Sequence, residues 1–158
     1  MTRLNFNSGN PAVRRHSSAH NERGFSLIEL MIAVVVIGIL VNLAYPSFER
    51  YLIRVSREAA QVALLQLAGT QEKIFLNSSA YSVATDAVTA AYTGTSTGGL
   101  GLTSGKSPDG KYTISVDSGG TATTFTLRAV PVAGTLQAGD GEITINQAGT
   151  RLWASKPW

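Results

Sequence analysis

The residue that demands explanation first is a carboxylate. Glu29 lies five residues past Gly24 in the stretch Gly24-Phe25-Ser26-Leu27-Ile28-Glu29-Leu30, and between Phe25 and Tyr45 the other clearly polar residues are Ser26 and Asn42. A charged side chain at the centre of a bilayer costs about 2.5 to 3.5 kcal/mol on insertion scales, so such a residue is a functional suspect. The chemistry open to it is pairing with a cation or retention of its proton.

Other chemistry is sparse. The chain has no cysteine, and both histidines, His16 and His20, precede Gly24. If residues 1–24 are removed, no imidazole or thiol remains, which excludes His-based triads, imidazole general bases and the common transition-metal ligand sets. The carboxylates and the serine and lysine residues form no paired constellation, so the chain is read as a non-enzyme with no catalytic residue, no metal site and no cofactor. Asp109-Gly110, Asp117 and Asp140-Gly141-Glu142 lack EF-hand spacing and read as turns. Asn77-Ser78-Ser79 matches a glycosylation sequon but reads as a helix terminator.

Charge separates the chain into two parts. Of the net +3 over 158 residues, all belongs to the first segment, where Arg3, Arg14, Arg15 and Arg23 face Glu22; nine basic residues balance nine acidic ones thereafter. A neutral body weakens the electrostatic case for nucleic acid, a partner this reading leaves open.

The elements that must position Glu29 follow from patterning. Residues 1–24 read as a polar, basic leader. Residues 25–45 are long and apolar enough to span a membrane as a helix. The arginines before the span place the N-terminus in the cytoplasm and the body outside. Phe48, Leu52, Val55, Ala59 and Val62 recur at steps of 4, 3, 4 and 3, the pattern of an amphipathic helix with this stripe on the core. It is expected to continue to about Leu76, with a kink or loosening near Asn42–Pro46 because proline removes a hydrogen bond, and Gly38 leaves a notch for a neighbouring helix.

Residues 77–110 form a Thr, Ser, Gly and Ala-rich connection, with turns at Gly98-Gly99 and Pro108-Asp109-Gly110. Alternation then marks strands at Tyr112–Val116, Phe125–Ala129 and Ile143–Ile145, with Thr150–Trp153 as a short fourth. The fold class is α+β, a long helix packed on a small antiparallel sheet over 111–153 that belongs to a globular body at 46–158.

The stretch from Gly24 to Leu30, after a basic leader and before the span, resembles the class III signal of type IV prepilins and related pseudopilins. The order of helix and sheet is similar to the type IV pilin fold over nearly the whole chain after Gly24. The segments Tyr112–Val116, Phe125–Pro131, Gln137–Asp140 and Ile143–Gly149, with a terminal Trp158, are similar to PilE-type minor pilins.

The resemblance implies that a prepilin peptidase cuts between Gly24 and Phe25 and that the same kind of enzyme N-methylates Phe25. It implies that Glu29 neutralises the new amine of an adjacent subunit, the alternatives being a protonated carboxyl or pairing with its own amine. Pro46 is implied as a helix break that loosens on assembly. The implied partners are other pilin subunits, the inner membrane and its pilus assembly machinery. The implied role is a structural minor pilin, a single-pass inner-membrane protein built into an extracellular or periplasmic fibre that serves twitching motility, adhesion or DNA uptake. A type II secretion pseudopilin and a DNA-binding minor pilin of a competence pilus are the alternatives.

Two features depart from the pattern. Relatives bear a cysteine soon after the position of Asp140 and another before the last Trp, where this chain has Gly141-Glu142 and Pro157. The C-terminal loop must then be held by packing, with Trp153 and Trp158 as candidates. The 24-residue leader is also long, so Val13 is an alternative start.

Overall fold

The computed structural model describes residues 24–158 apart from Thr85 and Ser118; the leader residues 1–23, with the leader's charge and the alternative start at Val13, lie outside the described residues. One helix, α1 (Leu27–Ser78), precedes five strands: β1 (Tyr112–Val116), β2 (Thr126–Pro131), β3 (Ile143–Asn146), β4 (Arg151–Trp153) and β5 (Lys156–Pro157). The chain divides into two compact units between Ile39 and Leu40.

In the first unit every described residue is exposed. Apolar side chains point in all directions, and the most apolar window of α1 has a mean hydropathy of 2.7 with none of it buried. Such a surface is stable in contact with lipid or with other apolar helices, not with water.

In the second unit α1 is helical without interruption through Asn42–Pro46 and on to Ser78. Pro46 lies inside this helix, where it forfeits one backbone hydrogen bond while the helix continues on either side. The helix stops at the Asn77-Ser78-Ser79 terminator. Ser79 takes a positive φ of 55° while its N–H bonds the Phe75 carbonyl at 2.7 Å, a left-handed cap. Ser78 Oγ donates to the Ile74 carbonyl at 2.8 Å and accepts from Ser96 N–H at 3.1 Å, tying the next segment to the helix end.

The core-facing stripe is not the one expected. Phe48, Leu52, Val55 and Val62 are 58%, 38%, 43% and 53% exposed, whereas Ala60, Leu64, Leu67, Gln71 and Ile74 are buried. Both series step by 4 and 3, so periodicity was satisfied by either phase. The sheet chose the face with two small residues, Ala60 and Ala63, which permits close approach, and with Gln71, a polar residue that looks wrong for a core. Gln71 is satisfied there: its amide donates to the Ser82 carbonyl at 2.6 Å and accepts from the Ser82 N–H at 2.9 Å.

The sheet is an antiparallel meander in the order β1-β2-β3-β4-β5. Its register aligns Ile114 with Ala129 and Ala129 with Ile143. Tyr112, Ile114, Val116, Leu127, Ala129, Ile143 and Ile145 thereby form one buried face that shares a core with Leu64, Leu67 and Ile74 of α1. β4 falls where the fourth strand was expected. β5 was not foreseen, because the β4–β5 turn at Ala154-Ser155 uses positive φ at both residues (46° and 65°) without the Gly or Asn that signals such a turn.

The described part of 79–111 is held in turns rather than strands. Tyr81 stacks on Phe75 and meets Phe125 edge-on, with ring centroids at 4.6 and 4.8 Å. Gly99 is required by space: a Cβ there would sit 2.1 Å from the Ala90 carbonyl oxygen.

The buried stripe is directly testable. Leu64→Ala should lower stability by about 2 to 5 kcal/mol, while Val62→Ala should change it by less than about 0.5 kcal/mol. Urea denaturation of the detergent-solubilised chain followed by circular dichroism measures both; equal effects would mean that the stripe is misassigned.

Candidate functional site

The candidate residues Gly24, Phe25 and Glu29 lie at the start of α1. Gly24, Phe25 and Ser26 are not helical, and the helix begins at Leu27. The Ser26 carbonyl accepts the N–H groups of Glu29 at 3.0 Å and Leu30 at 3.2 Å, which makes Ser26 the N-cap and Glu29 the third helical residue. Ser-x-x-Glu is the spacing of a capping box, and an acidic residue in the first turn also opposes the positive end of the helix dipole, worth about 0.3 to 1 kcal/mol at an exposed site.

The Gly24-Phe25 bond is accessible. Phe25 is 78% exposed. A Cβ added at Gly24 would meet nothing within 4 Å. Among the described residues nothing crowds this position. Gly38 is equally open. Pro46 belongs to the second unit.

The second unit contains an arrangement that sequence reading did not find. Arg57 Nε donates to Asp140 Oδ2 at 2.8 Å and a terminal nitrogen of the same guanidinium bonds Oδ1, so the pair is bidentate. The Tyr112 hydroxyl donates to the same carboxylate and receives the Gln137 amide at 2.7 Å. Gln137 also donates to the Ile53 carbonyl of α1 at 3.2 Å. Trp153 closes the cluster: its indole N–H bonds the Asp140 carbonyl at 2.6 Å, and the Arg57 guanidinium lies 3.5 Å over its ring.

Asp140 keeps 4% of its side-chain exposure. Burial alone would raise its pKa, but hydrogen bonds from Arg57 and Tyr112 outweigh it and hold the carboxyl below its ordinary value. Burial, and then the bond to Asp140, push the Tyr112 phenol up. The cluster joins α1, β1, the loop before β3 and β4. Asp140 directly precedes Gly141-Glu142, one of the two places where the resemblance implies a cysteine, and Trp153 holds the loop at Asp140. Trp158 packs at the edge of the core.

The remaining acidic turns are also in use. Glu142 holds Arg128 in a bidentate pair at 2.6 and 2.8 Å, Asp117 lies 3.8 Å from the same guanidinium, and Asp109 accepts from Ser107 Oγ at 2.6 Å. No cluster of three potential metal ligands occurs among the described residues.

Comparison with known proteins divides along the same chain. Residues 46–143 match the family described as "Type IV minor pilin ComP, DNA uptake sequence receptor", and residues 19–44 match the prokaryotic N-terminal methylation motif. The type IV major pilin protein PilA of Myxococcus xanthus is 42% identical over 60 residues, 38% of this chain and 27% of that protein. A fimbrial protein of Pseudomonas aeruginosa is 45% identical over 49 residues, 30% of this chain and 32% of its own length. The type IV major fimbrial protein FimA of Dichelobacter nodosus is 43% identical over 49 residues, 30% and 31% of the two chains. The matches span about a third or less of these relatives.

The Asp140 cluster has a defined pH signature. With its native pKa depressed, the stabilisation is complete above the unfolded carboxyl pKa of 3.8 and is lost as pH falls through the lower native value. Asp140→Ala should cost about 3 kcal/mol or more at pH 7, and the gap from the parent chain should shrink below about pH 4. Urea midpoints measured across that range check both; a gap independent of pH would refute the assignment.

Proposed function

The chain belongs to the type IV minor pilin family matched over residues 46–143, and from that premise we propose that it is a structural minor subunit of a type IV pilus. The observation that carries the reading is the combination of an accessible Gly24-Phe25 bond, an acidic first helical turn at Glu29 and an apolar helix surface without cover. Residues 1–24 are the leader that a prepilin peptidase removes. Phe25 then carries the new cationic amine and is N-methylated. Residues 25–45 anchor the subunit in the inner membrane with the leader side in the cytoplasm, and 46–158 form the pilin body on the other face.

Cleavage precedes the apolar run, so the anchor stays with the body. Glu29 lies one helical turn from the new amine and pairs with the amine of a neighbouring subunit, which removes the cost of burying either charge alone. Other pilins and the assembly machinery are the partners, and the exposed stripe Phe48, Leu52 and Val55 extends the apolar surface available to them.

A second reading is favoured by the family description, which names a DNA uptake sequence receptor. Among the described residues Arg57 and Arg128 are occupied by carboxylates, while Arg151 lies on the surface with its guanidinium 5.6 Å over the Trp158 ring. A cationic and aromatic patch of this kind can hold phosphate and stack on a base. If it binds DNA, affinity for the detergent-solubilised full chain should fall steeply with salt and weaken on Arg151→Ala. Fluorescence anisotropy of a labelled duplex measures this; no salt-dependent binding would leave only the structural role.

Glu29→Ala tests the leading reading. The variant should be processed at Gly24 as well as the parent, while its incorporation into sheared pili falls by at least about tenfold, the equivalent of losing roughly 1.4 kcal/mol of pairing. Immunoblots of membrane and pilus fractions separate the two steps; unchanged incorporation would contradict the role given to Glu29.

A further inference from the structure

Directly beyond the apolar run, Ser47, Arg50, Tyr51 and Arg54 line one shallow pocket on the side of α1. Arg50 and Arg54 stand one helical turn apart, a like-charge spacing that destabilises a helix unless an anion lies between the two. Among the described residues neither arginine has a carboxylate within ion-pair distance: the pairs found are Arg57 with Asp140, and Arg128 with Asp117 and Glu142. Glu49 and Glu58, the acidic residues of the same helix stretch, are in none of them.

The orientation of Arg50 is informative. Its Nε donates to the Pro46 carbonyl at 3.2 Å and a terminal nitrogen reaches Ser47 Oγ at 3.4 Å. The guanidinium is therefore folded back by one turn, on the face that carries Leu43, which is 71% exposed and lies near the end of the apolar run. Side chains of a helix lean toward its N-terminus, so Arg54 is biased the same way. Two cations leaning toward the apolar segment, with Tyr51 and Tyr45 as amphipathic rings at the same level, match the composition of a membrane–water interface.

We propose that Ser47, Arg50, Tyr51 and Arg54 form a binding site for the phosphate of an anionic phospholipid in the leaflet on the body's side. The site rests on the reading that residues 25–45 span the bilayer. A lipid phosphate presents oxygens to both guanidinium groups and accepts from the Ser47 hydroxyl, while its acyl chains run along Leu43 and Leu40, exposed apolar residues one and two turns before Ser47 on the same helix face. The lipid relieves the repulsion between the arginines and covers part of the helix until a neighbouring subunit replaces it. The carboxylate of a second copy is the competing occupant. Lipid is favoured because the Arg50 guanidinium points back along the helix toward the apolar run instead of outward from the body.

The test uses the full chain in phosphatidylcholine nanodiscs with an increasing share of phosphatidylglycerol, following the arginine Nε–Hε NMR signals. The signals of Arg50 and Arg54 should shift and saturate with phosphatidylglycerol. Half-saturation should rise on the order of fivefold for Arg50→Gln or Arg54→Gln singly. Both residues are exposed on the helix, and an unchanged circular dichroism spectrum separates lost binding from lost folding. No saturable shift, an unchanged half-saturation of the remaining arginine signal in both single variants, or the same shift from inorganic phosphate without phosphatidylglycerol would overturn the proposal. A shift that follows protein concentration instead of lipid share would assign the pocket to a second copy, also overturning it. Failure of the chain to enter phosphatidylcholine discs at all would instead contradict the membrane-spanning reading on which the site rests.

Discussion

A single helix has to satisfy two environments, and the rest of the structure follows from that constraint. Up to Tyr45 the helix is apolar all round, and no residue of its first unit is buried. Beyond Ser56 one face, from Ala60 to Ile74, is buried under the meander, which supplies Tyr112, Ile114, Leu127, Ala129 and Ile143 as its cover. A sheet this small, with a last strand of two residues, has little core of its own, so the helix face and the sheet face each exist only because the other buries it. What the helix leaves uncovered, Phe48, Leu52, Val55 and Val62, is then available to another molecule.

The second dependency is electrostatic. Hydrophobic cover is non-directional and does not by itself fix where a loop ends. The loop before β3 is fixed by Asp140, whose carboxylate takes the Arg57 guanidinium and the Tyr112 hydroxyl and whose carbonyl takes the Trp153 indole. A bidentate charged pair at low exposure has directional demands, and removing one partner leaves a buried charge. This places the helix, the first strand and the C-terminal hairpin in one register without any covalent link, in a chain that has no cysteine to provide one.

Much of this was legible in the sequence, for reasons that can be stated. Strands announce themselves by alternation, and β1 to β4 fall where Tyr112-Ile114-Val116 and its successors alternate. The helix end was legible because Asn77, Ser78 and Ser79 carry side chains that compete for backbone hydrogen bonds, as Ser78 Oγ does at the Ile74 carbonyl. The phase of the core stripe was not, because the apolar residues on both faces of α1 step by 4 and 3 and the buried one includes Gln71. The Asp140 cluster was not, because Arg57 and Asp140 are 83 residues apart and neither is unusual in its local context. β5 was hidden by a turn made of Ala154 and Ser155. At the candidate site the Gly24-to-Glu29 spacing is legible in the sequence, while the Ser26-x-x-Glu29 spacing at the helix start is masked by the apolar run that surrounds it.

The central claim is that residues 1–24 are a removable leader and that the molecule's working N-terminus is Phe25, one turn before Glu29. Intact-mass and N-terminal peptide mass spectrometry of the membrane-bound protein purified from cells that carry the processing enzyme tests it most directly. The account predicts a chain that begins at Phe25 and is one methyl group heavier than its sequence. A chain that retains residues before Gly24, or one cut after the apolar run and so lacking Glu29, would contradict it.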